Sequence, residues 1–120
     1  MDFQKATLTF YNDQEDKYGS LTSKPNPKGM FRAIDGVTIA VDPDIIRYGS
    51  WVEIPELKEF SLGKDGLFYA HDTGSAVKQK IASQGRGNNY PVIDVFTTCA
   101  TEKLSSLNEK YGDTVTFKIL

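Results

Sequence analysis

Asp94 is the residue in this sequence whose setting most suggests chemistry. It stands between Ile93 and Val95, with Val92 and Phe96 on its own face of a period-two pattern and no turn residue beside it. Desolvation penalises an ionised carboxylate in such a run, and a second carboxylate nearby penalises it further, so the group is suited to hold and donate a proton. Two more aspartates close short apolar stretches, Asp42 before Pro43 and Asp72 before Thr73-Gly74. Each has an ordinary explanation as a turn starter, and for Asp42 the following proline accounts for it fully. Asp72 lies between the two cases. His71, beside it, points to the opposite face of a regular strand and is a strand residue first.

The chain has a single histidine and a single cysteine, Cys99. That excludes zinc sites built from several His or Cys ligands and an intrachain disulfide, and no metal or cofactor is expected. Cys99 reads as a small buried apolar residue rather than a nucleophile.

A chain of 120 residues, 39% hydrophobic and 25% charged, fits one soluble globular domain. Fourteen basic against sixteen acidic residues give a net charge of −2, which leaves no positive excess to neutralise a phosphate backbone. Nucleic acid is thereby a poor partner. No apolar run approaches the ~20 residues that span a bilayer, and the opening Met1-Asp2-Phe3-Gln4-Lys5 has neither the basic nor the apolar part of an export signal. A monomer is the expected state.

The elements that must position these residues are short stretches of period-two alternation separated by Gly, Pro, Asn and Asp. They predict strands over residues 6–11, 37–42, 51–54, 67–72, 92–96 and 114–119, a mainly β domain of barrel or sandwich type. Leu104, Leu107 and Tyr111 recur at helical spacing ahead of Gly112, so one helix over residues 101–111 precedes the last strand. Residues 12–33 and 78–90, polar and rich in Gly and Pro, read as long loops of the kind that carries binding.

Four motifs in order carry a family resemblance: Ile39-Ala40-Val41-Asp42-Pro43, Ile46-Arg47-Tyr48-Gly49-Ser50, Ala70-His71-Asp72-Thr73-Gly74-Ser75-Ala76-Val77 and Ile93-Asp94-Val95-Phe96. Together they resemble the 3D domain, named for three aspartates and related to the barrel of membrane-bound lytic transglycosylase A and to expansins. Thr9-Phe10-Tyr11 is similar to the Thr-x-Tyr of that family's first strand. The resemblance implies a six-stranded double-psi β-barrel with a glycan-binding groove, Asp94 as the single general acid and Asp72 beside it, orienting it or stabilising developing positive charge. It implies groove positions for Thr9 and Tyr11, and candidate substrate contacts at Asp42, Thr73 and Gly74, with Asp42 the structural one of the three aspartates. It also implies peptidoglycan or a related glycan as partner and an extracellular, periplasmic or cell-wall location.

The sequence departs from the family at Arg47, where a proline is usual, and at Ser75-Ala76-Val77-Lys78-Gln79-Lys80, which replaces a Gly-rich stretch. The segment up to Tyr90 is also longer than the family leads one to expect. Sugar faces stack on aromatic rings, which makes Tyr11, Tyr18, Tyr48, Trp51 and Tyr90 candidates, although Trp51 at a strand start reads more naturally as core or barrel rim.

One acid suffices for lytic transglycosylase chemistry. The carbon-6 hydroxyl of the muramic sugar is itself the nucleophile, with an effective molarity on the order of 10⁵ M or more, and the product is a 1,6-anhydro sugar. The same residues are compatible with a non-catalytic expansin-like module, with an inverting glycosidase in which Asp72 serves as the second carboxylate, and with a protein-interaction domain whose aspartates only make turns.

Overall fold

The computed structural model describes residues 3–12, 22–25, 29, 32–59, 66–98, 103–111 and 113–120. Six strands, β1 (Gln4–Tyr11), β2 (Thr38–Ala40), β3 (Trp51–Glu53), β4 (Leu67–Asp72), β5 (Val92–Phe96) and β6 (Thr114–Ile119), close a barrel in the order β1-β5-β2-β4-β3-β6. β1 runs parallel to β5 and β2 parallel to β4; the other pairs are antiparallel. The structure is thus mainly β, with the closed six-stranded barrel expected.

Alternation decides what fills it. Leu8 and Phe10 of β1, Ile93 and Val95 of β5, Phe68 and Ala70 of β4, and Val115 and Phe117 of β6 point inward and form one core with Ile39 and Val52. Leu104, Leu107 and Tyr111 of the helix α3 (Leu104–Tyr111) pack against that core, and the Tyr111 ring lies 6.2 Å from that of Phe10. The predicted helix is therefore present from Leu104; residues 99–102 and Gly112 lie outside the described residues.

β4, β5 and β6 have the predicted bounds. β2 and β3 are shorter, because Val37 belongs to the turn after Gly36, Val41 and Asp42 leave the ladder, and a 3₁₀ turn begins at Pro55. The expected loop over residues 78–90 needs correction. It holds a helix, α2 (Ile81–Gly85), directly after α1 (Ser75–Lys78), and the two are separated by Lys80 in the left-handed conformation at φ 55°. Val77 and Ala82 supply the apolar side chains that pack the segment against the outer face of the barrel, while Ala76 and Ile81 stay exposed. Of residues 12–33 only a part is described, and it holds one isolated bridge, at Arg32.

Candidate active site

Because Ile93 and Val95 point into the barrel, Val92, Asp94 and Phe96 point out of it. The apolar company that the sequence assigns to Asp94 is real, but it is not the barrel core. It is a second cluster of Tyr11, Ala40, Val77, Val92 and Phe96 on the outer face, with Ala82 packed against it. Thr7, Thr9 and Tyr11 point outward from β1 by the same alternation.

The parallel register sets Thr9 opposite Asp94 and Tyr11 opposite Phe96. The Thr9 hydroxyl donates a 2.8 Å hydrogen bond to Asp94 Oδ1. The half-buried carboxylate lines a groove of about 240 Å³, together with Thr9, Phe10, Tyr11 and Val92 from the strands and Ala76, Val77, Ile81 and Ala82 from α1 and α2.

Asp72 is 5% exposed, and the Tyr11 hydroxyl donates to its Oδ2 at 2.8 Å while the Thr73 N–H donates to its Oδ1 at 2.9 Å. Ala40 is the register partner of Asp94 on one side and of Asp72 on the other. The two aspartate backbones are thus two strand spacings apart, roughly 10 Å along the sheet. Asp72 reaches the groove through Tyr11, whose ring lines it and meets the Phe96 ring edge-on at 5.3 Å.

Asp94, Thr9 and Tyr11 come together, with Asp72 behind them. Thr73 and Gly74 carry the chain from Asp72 into α1; Gly74 is its extended N-cap residue, and the buried Thr73 hydroxyl has no hydrogen bond among the described residues. Asp42 is a turn starter: its Oδ1 accepts the Asp44 N–H at 3.0 Å and its carbonyl accepts those of Ile45 and Ile46. Tyr48 and Tyr90 do not line this groove. Tyr48 sits in the turn before β3, and the Tyr90 backbone is bound by Asn88 Oδ1 and the Ser83 hydroxyl. Trp51 packs on Tyr69 at 5.1 Å across β3 and β4, and Tyr18 lies outside the described residues.

His71 is fully buried. Its Nδ1 donates to the Lys24 carbonyl at 3.0 Å, which fixes the tautomer and leaves Nε2 to accept from the Thr38 hydroxyl at 2.6 Å. Burial pushes its pKa below the usual 6.5, against the opposing pull of the Lys24 carbonyl and the Asp72 charge. The ring is a neutral pin that fastens the segment around Lys24 to β2 and β4.

The wall of Ala76, Val77, Ile81 and Ala82 was not foreseen in the sequence. Its signal is the pairing of adjacent apolar residues, Ala76-Val77 and Ile81-Ala82, within an otherwise polar segment.

Among the described residues there is no cluster of His, Cys, Asp or Glu that could hold a metal ion, and no helix long and apolar enough to cross a membrane. No curated protein matches the chain. Thr9 and Asp94 fall outside the span of the family match, so their pairing is a finding of the structure alone. That match, to the model described as the 3D domain, spans residues 37–83 and takes in β2, β3, β4 and α1 with Asp42 and Asp72; the 3D domain is the lytic transglycosylase A and expansin-like barrel family, to which this part of the chain is similar.

Proposed function

We propose that the groove cleaves peptidoglycan glycan by lytic transglycosylase chemistry, with Asp94 as the single acid and base. The observation that carries this is the Thr9–Asp94 pair, a half-buried carboxylate held at 2.8 Å by a strand hydroxyl on the wall of a groove. Protonated Asp94 gives its proton to the glycosidic oxygen, and the bond from that oxygen to carbon 1 breaks. The carbon-6 hydroxyl of the same sugar then attacks carbon 1 of the oxocarbenium-like species and closes the 1,6-anhydro ring. Its proton passes to the Asp94 carboxylate, which restores the acid.

The setting of Asp72 supports one acid over two. An inverting glycosidase needs a second carboxylate that activates a water across the scissile bond. Asp72 is buried and its oxygens accept from Tyr11 and Thr73, so it supports the groove from behind. The substrate places the proposed site of action in the bacterial cell wall, outside the cytoplasm.

Mass spectrometry of material released from purified peptidoglycan tests the proposal. Anhydro-muropeptides made by the wild type and not by a folded Asp94→Ala variant are expected. Reducing-end products would establish hydrolysis instead, and retained binding without release by either protein would establish an expansin-like module.

A further inference from the structure

β1 changes its support at the point where the site begins. Gln4 to Thr7 pair with β6, whose first residue, Thr114, stands opposite Thr7; Thr7 to Tyr11 pair with β5. From Leu8 onward the half of β1 that carries Thr9 and Tyr11 has, among the described residues, a strand on one edge only. A bare edge leaves backbone groups to be satisfied by other means. At Leu8 the N–H donates to the Asp113 carbonyl at 2.9 Å, and Arg86 Nη1 donates to the Leu8 carbonyl at 2.8 Å and to the Asp113 carbonyl at 2.9 Å. One guanidinium nitrogen links β1 to the residue before β6 where their ladder has stopped. We infer that Arg86 is a positioning residue for the acid: it fixes the strand edge at Leu8 and so holds the Thr9 hydroxyl against Asp94.

The inference rests on the reading of Asp94 as the acid and follows from peptide geometry. The Leu8 carbonyl and the Thr9 N–H belong to one planar unit, so a donor that fixes the carbonyl also fixes the direction in which the chain enters Thr9. Thr9 in turn donates to Asp94 Oδ1 at 2.8 Å. A shift of about 1 Å at a reacting group can cost on the order of 100-fold in rate. Arg86 does not line the groove, so its effect passes through Thr9.

Arg86 is itself held in place. It caps α2, where its N–H is bonded to the carbonyls of Ala82 and Ser83, and its side chain is only 26% exposed. Three residues earlier on the same helix, the Ser83 hydroxyl lies 2.7 Å from the Thr7 hydroxyl and 2.6 Å from the Tyr90 carbonyl. α2 therefore grips β1 at the two residues before Thr9. The ion pair from Nη2 to Asp113 Oδ1, at 3.6 Å on a side chain 66% exposed, adds little to this. The two carbonyls are what the guanidinium serves.

Two measurements test the inference. Crystal structures of the wild type and Arg86→Met compare the Thr9–Asp94 contact, which is expected to lengthen beyond about 3.5 Å without the guanidinium. Steady-state cleavage of soluble peptidoglycan strands compares the wild type, Arg86→Met, Thr9→Val and the double variant. Arg86→Met is expected to lower kcat about tenfold with KM little changed, and by about twofold or less when combined with Thr9→Val, because an effect that passes through Thr9 then has nothing to act on. Arg86→Lys, whose nitrogen stops one atom short of Nη1, is the milder second variant and should show the same dependence on Thr9 at smaller size. An unchanged Thr9–Asp94 distance in Arg86→Met, or the same fold-loss of kcat with and without Thr9→Val, overturns the inference and leaves the glycan reading standing. A wild type that cleaves no glycan overturns the glycan reading, and the crystallographic distance still decides whether Arg86 holds Thr9.

Discussion

Thr9 and Asp94 face each other across the parallel β1–β5 ladder, and the threonine hydroxyl donates to one carboxylate oxygen at 2.8 Å. A hydroxyl that approaches at that distance fixes the direction of the carboxylate, so its loss should be felt in turnover more than in folding. Thr9→Val removes the donor at nearly constant volume. Hydrogen bonds to charged groups contribute about 1.5–3 kcal/mol, so kcat for glycan cleavage is expected to fall roughly 10- to 100-fold with KM little changed, and Thr9→Ser should retain most of it. Equal kcat for the valine and serine variants would remove Thr9 from the machinery.

Tyr11 and Asp72 form the second polar pair, and here burial changes the consequence. Tyr11→Phe takes one donor from a carboxylate that is 5% exposed, and leaving a buried acceptor short of a partner costs about 1–3 kcal/mol. Urea unfolding should show that loss in Tyr11→Phe. In a double-mutant cycle with Asp72→Asn the two changes should be coupled rather than additive. Additive losses would mean that the 2.8 Å contact contributes nothing of its own.

His71 makes stability depend on pH. Its folded pKa is lowered by burial, so between that value and 6.5 the unfolded chain binds more protons than the folded one and stability rises with pH. The contribution is complete above about 6.5 and is lost as pH falls through the lowered folded value. The urea midpoint is expected to decline from pH 7 to pH 5, and His71→Gln should flatten that part of the profile. A histidine ring proton that titrates at or above 6.5 in the folded protein would contradict this account.

The strands were legible where punctuation is clean. Gly66 precedes β4, Pro91 precedes β5 and Asp113 precedes β6, and all three have the bounds predicted from alternation. Val41 shows the limit: it is fully buried and its N–H still donates to the Asp72 carbonyl at 2.9 Å, yet β2 ends at Ala40, since hydropathy reports burial and not where a strand stops. Asp94 shows another. Alternation separates the two faces of β5, but both are apolar, because the outer one is covered by Val77 and Ala82, so the pattern cannot say which face looks into the barrel. Tyr11–Asp72 and the pin at His71 join residues far apart in the chain, and no local signal marks them.

Gly66 and Gly87 separate two costs that a glycine can hide. Both have positive φ, 85° and 75°, which disfavours a side chain by about 1–2 kcal/mol. A Cβ at Gly87 would meet nothing within 4 Å, whereas one at Gly66 would stand 2.8 Å from the Ile54 carbonyl oxygen. That approach is enforced by pairing, because Ile54 N–H donates to the Gly66 carbonyl at 2.8 Å and ties the end of β3 to the start of β4. Gly87→Ala is therefore expected to lower stability by about 1 kcal/mol, and Gly66→Ala by about 3 kcal/mol or more, with the difference assigned to the displaced backbone. Chemical denaturation of the two variants at one pH makes the comparison, and equal losses would show that the β3–β4 junction yields to a methyl group without strain.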